Sequence, residues 1–363
     1  MTFHKTLRTA DALAEAGLVD PARVPELHAV AARYAVAVTP AMAELIDAEG
    51  RQGPIARQFL PDPAELDTRP AESADPIGDF AHAPVEGIVH RYLDRVLLKV
   101  THTCAVYCRF CFRREMVGPD GHGALTGEAL EAALGYIAAR PEIWEVILTG
   151  GDPLVLSPRR IAELMAGLGG IDHVKVVRIH TRVPAVDPHA VTPELVAALQ
   201  PPPGKAVWVA LHANHADELT PAARAACARL IDAGLPMVSQ TVLLKGVNDT
   251  PQALADLMRA FVETRIRPYY LHHPDLAPGT SHLRPTLEEG RAVVSALRGA
   301  VSGLAQPTYV VDLPGGHGKV PAGEAWLQAD AAGEPDYASA RLPTTNTTAP
   351  HPGESRDPDS LSA

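Results

Sequence analysis

Four cysteines occur in 363 residues, and three of them, Cys104, Cys108 and Cys111, fall in one eight-residue stretch with the spacing C-x3-C-x2-C. A disulfide framework would disperse its cysteines, so a tight cluster of thiols points to a metal or to redox chemistry. Three thiolates can hold three irons of a 4Fe–4S cluster and leave the fourth iron without a protein ligand. An incompletely ligated metal can take a small ligand, as an open zinc position does. The alternative is a structural zinc, which needs a fourth ligand; His102 could supply it. Cys227 stands apart in an alanine-rich helical stretch and reads as a small buried residue.

A second stretch with chemical potential runs from Asp312 through Leu-Pro-Gly-Gly-His-Gly to Lys319. It does not match the phosphate loop G-x-x-x-x-G-K-[ST], because Val320 follows the lysine. A glycine-rich loop presenting one lysine into a cleft suits a Schiff base with an aldehyde cofactor; the plain alternative is a solvated loop lysine. A third stretch, Gly150-Gly151-Asp152, lets backbone approach a ligand closely beside a carboxylate that can accept from an ammonium. By itself it is equally a common turn.

These residues must be positioned by the elements around them. Apolar runs at 96–100, 146–148, 174–179, 207–211, 238–244, 269–271 and 309–311 read as buried strands. Between them lie amphipathic helices; Leu130, Ala133, Leu134 and Ile137 share one helix face. Ser157-Pro158, Thr192-Pro193, Thr220-Pro221 and Thr250-Pro251 each put a capping hydroxyl before a proline, the signature of a helix start. Ala233-Gly234 marks a helix end before a strand from Met237. Alternating strands and helices predict an α/β fold with a parallel sheet, and about six units suit a partial (β/α)6 barrel better than a closed eight-fold one. The motifs follow strand ends, where such folds place their chemistry. The expected organisation is a mostly helical extension over 1–85, the barrel with its lysine loop over 86–322, and a C-terminal extension over 323–363 whose polar, proline-rich end is expected to be disordered from about 342.

Together these features resemble the lysine 2,3-aminomutase family of the radical S-adenosylmethionine (SAM) superfamily. The likeness runs from about Pro54 to Pro321. It is carried by His90-Arg91-Tyr92-Leu93-Asp94-Arg95, the cysteine loop with Arg113-Arg114, the Gly-Gly-Asp turn and Thr181-Arg182-Val183-Pro184. It continues through His212-Ala213-Asn214-His215, the stretch from Gln240 to Asp249, Tyr269-Tyr270, Asp275-Leu276 and the Asp312 to Lys319 segment.

The resemblance implies a cluster on Cys104, Cys108 and Cys111, with SAM near Gly150, Gly151, Asp152 and His212. It implies pyridoxal 5′-phosphate (PLP) on Lys319, with Arg91, Tyr92, Arg95 and Gln240 around its phosphate and ring. It further implies Arg113 for the substrate carboxylate and Asp275 and Asp312 for the distal ammonium of lysine. The implied reaction moves the α-amino group of L-lysine to C3, giving β-lysine, after an adenosyl radical takes a hydrogen from C3. The shorter relatives make β-lysine for attachment to elongation factor P, an alternative use of the same chemistry. A non-catalytic iron–sulfur redox module would leave the Lys319 stretch unexplained, and a PLP enzyme without radical chemistry would leave the cysteines unexplained.

The chain departs from the family pattern in three places. It has no cysteine beyond Cys227, so the zinc site that joins subunits of longer relatives is expected to be missing, with any homo-oligomer formed without it. His317 replaces a glycine, and His272-His273-Pro274 precedes Asp275. A net charge of -11 argues against a nucleic-acid partner, and no apolar run is long enough for a membrane span. The opening residues lack a secretory pattern, which predicts a cytoplasmic protein. The expected partners are small molecules and a reducing electron donor such as flavodoxin or ferredoxin.

Overall fold

A computed structural model of the chain describes residues 3–118, 123–323, 328–329 and 335–336. The tail expected to be disordered from about 342 lies outside the described residues.

Four helices come first: α1 (Ala10–Glu15), α2 (Val24–Arg33), α3 (Pro40–Glu49) and α4 (Pro54–Phe59). An antiparallel hairpin, β1 (Ile88–Tyr92) and β2 (Arg95–Thr101), then leads into the sheet. The repeating units are β2–α5 (Gly127–Ala138), β3 (Glu145–Gly150)–α6 (Pro158–Gly169) and β4 (Val176–Thr181) with the short helices α7 (Val183–Val186) and α8 (Pro193–Ala198). They continue as β5 (Ala206–His212)–α9 (Pro221–Asp232), β6 (Met237–Val242)–α10 (Pro251–Glu263) and β7 (Ile266–His272)–α11 (Leu287–Ala296). The last two strands of the sheet are β8 (Thr308–Leu313) and β9 (Gly318–Pro321).

The sheet order follows the chain from β1 to β9, and every neighbouring pair from β2 to β8 is parallel. The expected six-unit partial barrel is present, and the expected strand at 309–311 joins it as a seventh parallel strand, β8. All four serine or threonine caps form; Ser157 Oγ, for example, accepts from the Arg160 backbone at 3.3 Å. The apolar core is continuous from the N-terminal helices through the barrel wall.

Three details differ from the sequence reading. Residues 88–92 form β1, a strand that was hidden because its second half, His90-Arg91-Tyr92, is polar. The run at 238–244 ends as a strand at Val242; Leu244 instead packs with Phe110, Val247 and Leu283 in a separate cluster. The Asp312–Lys319 stretch is a tight hairpin, with Lys319 on β9 directly opposite Asp312. β1 and β9 are the two edges of the sheet, and the Lys319 N–H donates to Tyr92 Oη at 3.0 Å. That bond brings edge to edge and leaves the sheet a nearly closed barrel.

Candidate active site

The cysteine loop leaves β2 and rests on the N-terminal helices. The backbone N–H of Arg109 donates to Gln58 O at 2.8 Å, and that of Tyr107 to Ala37 O at 3.3 Å. Glu65, fully buried, receives both Arg109 (3.0 Å from Nε) and Arg114. Burial alone would raise the Glu65 carboxyl; the two guanidiniums outweigh it and hold it below the usual range. A loop with three arginines in six residues (Arg109, Arg113, Arg114) requires such carboxylates, a signal that buried acids pair with it without saying which ones.

As thiols, Cys104 is pushed well above its ordinary value and Cys111 to about 11, chiefly by burial and then by neighbouring acidic groups, other cysteines included. A bound cation reverses that penalty, since a coordinating thiol is deprotonated outright. Among the described residues, the group whose ligand atoms all meet within 4.8 Å is Glu49, His215 and Asp217, not the three cysteines. Ligands of one tetrahedral zinc would lie about 4 Å apart. The three thiols are thus not all gathered at the spacing of a single zinc ion.

The Gly150-Gly151 turn lies directly on the base of the cysteine loop. A Cβ on Gly151 would collide with the Thr103 backbone, and Gly150 adopts φ +113° against Thr101. The Asp152 carboxylate is buried and turned away from the cavity. It accepts from Thr181 Oγ1 and the Arg182 backbone N–H, both at 2.7 Å, and from the Leu154 N–H at 3.0 Å. It thus shapes the turn and ties β3 to β4.

Another part of the site is built from both sheet edges. Lys319 Nζ lies 2.7 Å from Asp312 Oδ2, with Arg91 and His272 at 3.7 and 3.8 Å from the same carboxylate. Burial disfavours the Asp312 charge, but His272 and Lys319 outweigh that and lower its pKa to about 2. Asp275 is the reverse case: burial and then the Asp312 charge push it up to about 7. Among the described residues, no side-chain hydrogen bond or ion pair engages the Asp275 carboxylate. Asp79, which is 1% exposed, accepts from Arg91 Nη2 at 2.7 Å and Arg113 Nη2 at 2.9 Å. It therefore links two arginines that the resemblance assigns to different ligands. Asp79 sits in a segment that composition alone reads as a connecting loop, which is why it was missed.

These groups meet in one cavity of about 530 Å³ inside the barrel. Cys108, Cys111, Arg113 and His212 line it together with Asp275, Asp312 and Lys319. Arg91, Tyr92, Arg95 and Gln240 line it as well, and Arg95 stacks 3.7 Å over the Tyr92 ring. Cys104, Gly150, Gly151 and Asp152 stand behind this lining. His212 stacks against Phe110 and is held neutral by burial. Lining residues that the sequence did not single out include Arg178, paired with Glu145 at 3.0 Å, and His180, kept neutral by burial and 3.4 Å from Gln240 Nε2. Both lie on β4 between residues read only as strand.

An incomplete barrel with a three-cysteine loop after its first parallel strand defines the class: the radical SAM superfamily model matches residues 98–258. Curated relatives narrow this. L-lysine 2,3-aminomutase from Fusobacterium nucleatum subsp. nucleatum is 40% identical over 286 residues, which is 79% of this chain and 67% of that one. The enzyme of the same name from Acetoanaerobium sticklandii is 41% identical, covering 79% and 68%. Glutamate 2,3-aminomutase from Clostridioides difficile is 34% identical, covering 80% and 68%. The chain belongs to the lysine 2,3-aminomutase family and is a radical-SAM aminomutase, an isomerase working with a 4Fe–4S cluster and SAM. No helix among the described residues is long and apolar enough to cross a membrane.

Proposed function

We propose that the enzyme moves the α-amino group of L-lysine to C3, giving β-lysine, with PLP held on Lys319. The observation that supports this most is the shared cavity. Cys108 and Cys111 line it together with the Lys319 side chain and an unpaired carboxylate, Asp275. The residues present fit PLP: Arg91 Nε is buried without an acceptor, and Arg95 and Gln240 line the same cavity. Paired guanidiniums suit a phosphate dianion.

In this reading Cys104, Cys108 and Cys111 hold the cluster. Gly150 and Gly151 offer backbone to SAM, Asp152 fixes their turn, and His212 lies flat nearby. Bound together, the cluster and SAM supply a radical able to take hydrogen from an unactivated carbon, and PLP supplies a π-system across which nitrogen can migrate. Arg91, Tyr92, Arg95 and Gln240 hold the PLP phosphate and ring. Arg113 binds the substrate carboxylate through its planar fork, and Asp79 sets the angle of that fork. Asp275 and Asp312 receive the distal ammonium. An ammonium entering a dry cleft needs a compensating charge, whereas the distal carboxylate of glutamate would meet like charge there. The barrel wall excludes water that would quench a radical. The reducing electron comes from a small redox protein such as flavodoxin or ferredoxin, and the chain works without an intersubunit zinc site.

The test mixes the enzyme with lysine, SAM, PLP and dithionite and resolves the β-lysine enantiomers. β-Lysine is expected, with no turnover of glutamate; the opposite preference would overturn the substrate assignment. Lys319→Ala is expected to lose the near-visible absorbance of bound PLP while keeping the brown iron–sulfur colour. Retention of both would remove Lys319 from its role.

A further inference from the structure

Arg182, the residue after β4, makes an unusual choice of partners. Its Nη2 donates to Glu218 Oε2 at 2.6 Å and to Gln58 Oε1 at 2.5 Å, while its Nη1 points to Cys108 Sγ at 3.1 Å. The guanidinium is 6% exposed and lies between the rings of Phe59 and Phe110, 4.6 and 5.4 Å from their centres. If Arg182 served only to neutralise Glu218, the strongest arrangement would be a two-nitrogen fork on that carboxylate. Glu218 does not need the second nitrogen, because its other oxygen already accepts from the Asn214 and His215 backbone N–H groups and from Gln58 Nε2. The free nitrogen is instead directed at a sulfur.

A neutral thiol is a poor acceptor, while a thiolate is a good one. The arrangement therefore gains most when Cys108 carries negative charge, as it does when ligating iron. Hydrogen bonds to cluster sulfurs and nearby charge are levers that set the reduction potential. At this distance and in this burial, a cation acts through a low local dielectric. Reduction adds negative charge, which the guanidinium stabilises. The position of Arg182 is also fixed from behind, since its backbone N–H is held by Asp152 beside the Gly150-Gly151 turn.

We infer that Arg182 is a positioning residue that holds the Cys108 thiolate and raises the reduction potential of the cluster. This rests on the cluster of the family and not on PLP or on lysine as substrate.

The test is an anaerobic redox titration of the reconstituted full chain, read from the electron paramagnetic resonance of the reduced cluster, with iron content and circular dichroism in parallel. Arg182→Lys keeps the charge and loses the directed fork. The double variant Arg182→Met with Glu218→Gln removes both charges, so that no buried ion is left unpaired. The double variant is expected to shift the midpoint to more negative potential by at least a tenfold change in the one-electron equilibrium, 59 mV. Arg182→Lys should fall between it and the wild type. Variants that load iron fully and keep the wild-type midpoint would overturn the inference. So would variants that fold but take up no iron, which would assign Arg182 to the scaffold alone. A wild-type chain that binds no cluster would undo the iron–sulfur reading itself, and this inference with it.

Discussion

The cavity has two charged regions built on opposite rules. Beneath the cysteine loop, Glu65 serves Arg109 and Arg114, Asp79 serves Arg91 and Arg113, and Glu218 serves Arg182. Each carboxylate there is nearly inaccessible and has cationic partners. Asp275 lines the same cavity without one, beside an Asp312 already neutralised by Lys319. A closed ion network gains nothing from a ligand and loses heavily when one member is removed. An open carboxylate costs the folded state free energy until a cation arrives. Scaffold charges and binding charges can therefore be told apart by whether the protein has satisfied them itself.

Glu65→Gln should break the closed side most. It leaves two buried guanidiniums short of a charge, and chemical denaturation should show a loss of about 3–5 kcal/mol. Asp275→Asn should do the opposite: stability within about 0.5 kcal/mol of wild type or higher, with the KM for lysine raised about a hundredfold in steady-state assays. Equal destabilisation by both variants would erase the distinction.

Gly78→Ala probes, without charge, the join between the segment of Asp79 and the hairpin of Lys319. Gly78 has φ +74°, and an added Cβ would lie 2.7 Å from Gly316 N in the hairpin that carries Lys319. The expected cost is about 1–3 kcal/mol, with weakened PLP retention measured by absorbance after gel filtration.

The smallest effect concerns pH. The Asp275 pKa is raised to about 7, so in the free enzyme the carboxylate is protonated below that pH and charged above it. Binding of an ammonium needs the charged form. The KM for lysine should therefore rise as pH falls below 7, approaching about tenfold per unit, and stay flat above it. Asp275→Asn should abolish that slope.

Much of this was legible in the chain because it is local. The C-x3-C-x2-C spacing, the proline-led helix starts and the glycines before Lys319 are all read within a dozen residues. The strands at 146–148 and 207–211 are continuous apolar runs because a parallel sheet is covered on both faces. β1 escaped because half of it faces a polar cavity, and Leu244 was misplaced because an apolar residue looks the same in a strand or a satellite cluster. Asp79, Glu65 and Arg182 could not be given roles, since each depends on a partner 34 to 74 residues away.

Taken alone, the order of residues determined the cofactor-bearing types: three thiols in one loop, a lysine after glycines, and a barrel of parallel strands. Their number, spacing and local propensities permit few other outcomes. Only the folded chain decided which charges are shared and which are left open. Pairing in a low-dielectric interior depends on distance in space, and the closure of β1 onto β9 sets those distances. Asp275 and Glu65 are the same kind of group in sequence; one is a vacancy for a cation and the other a keystone because of where the barrel puts them.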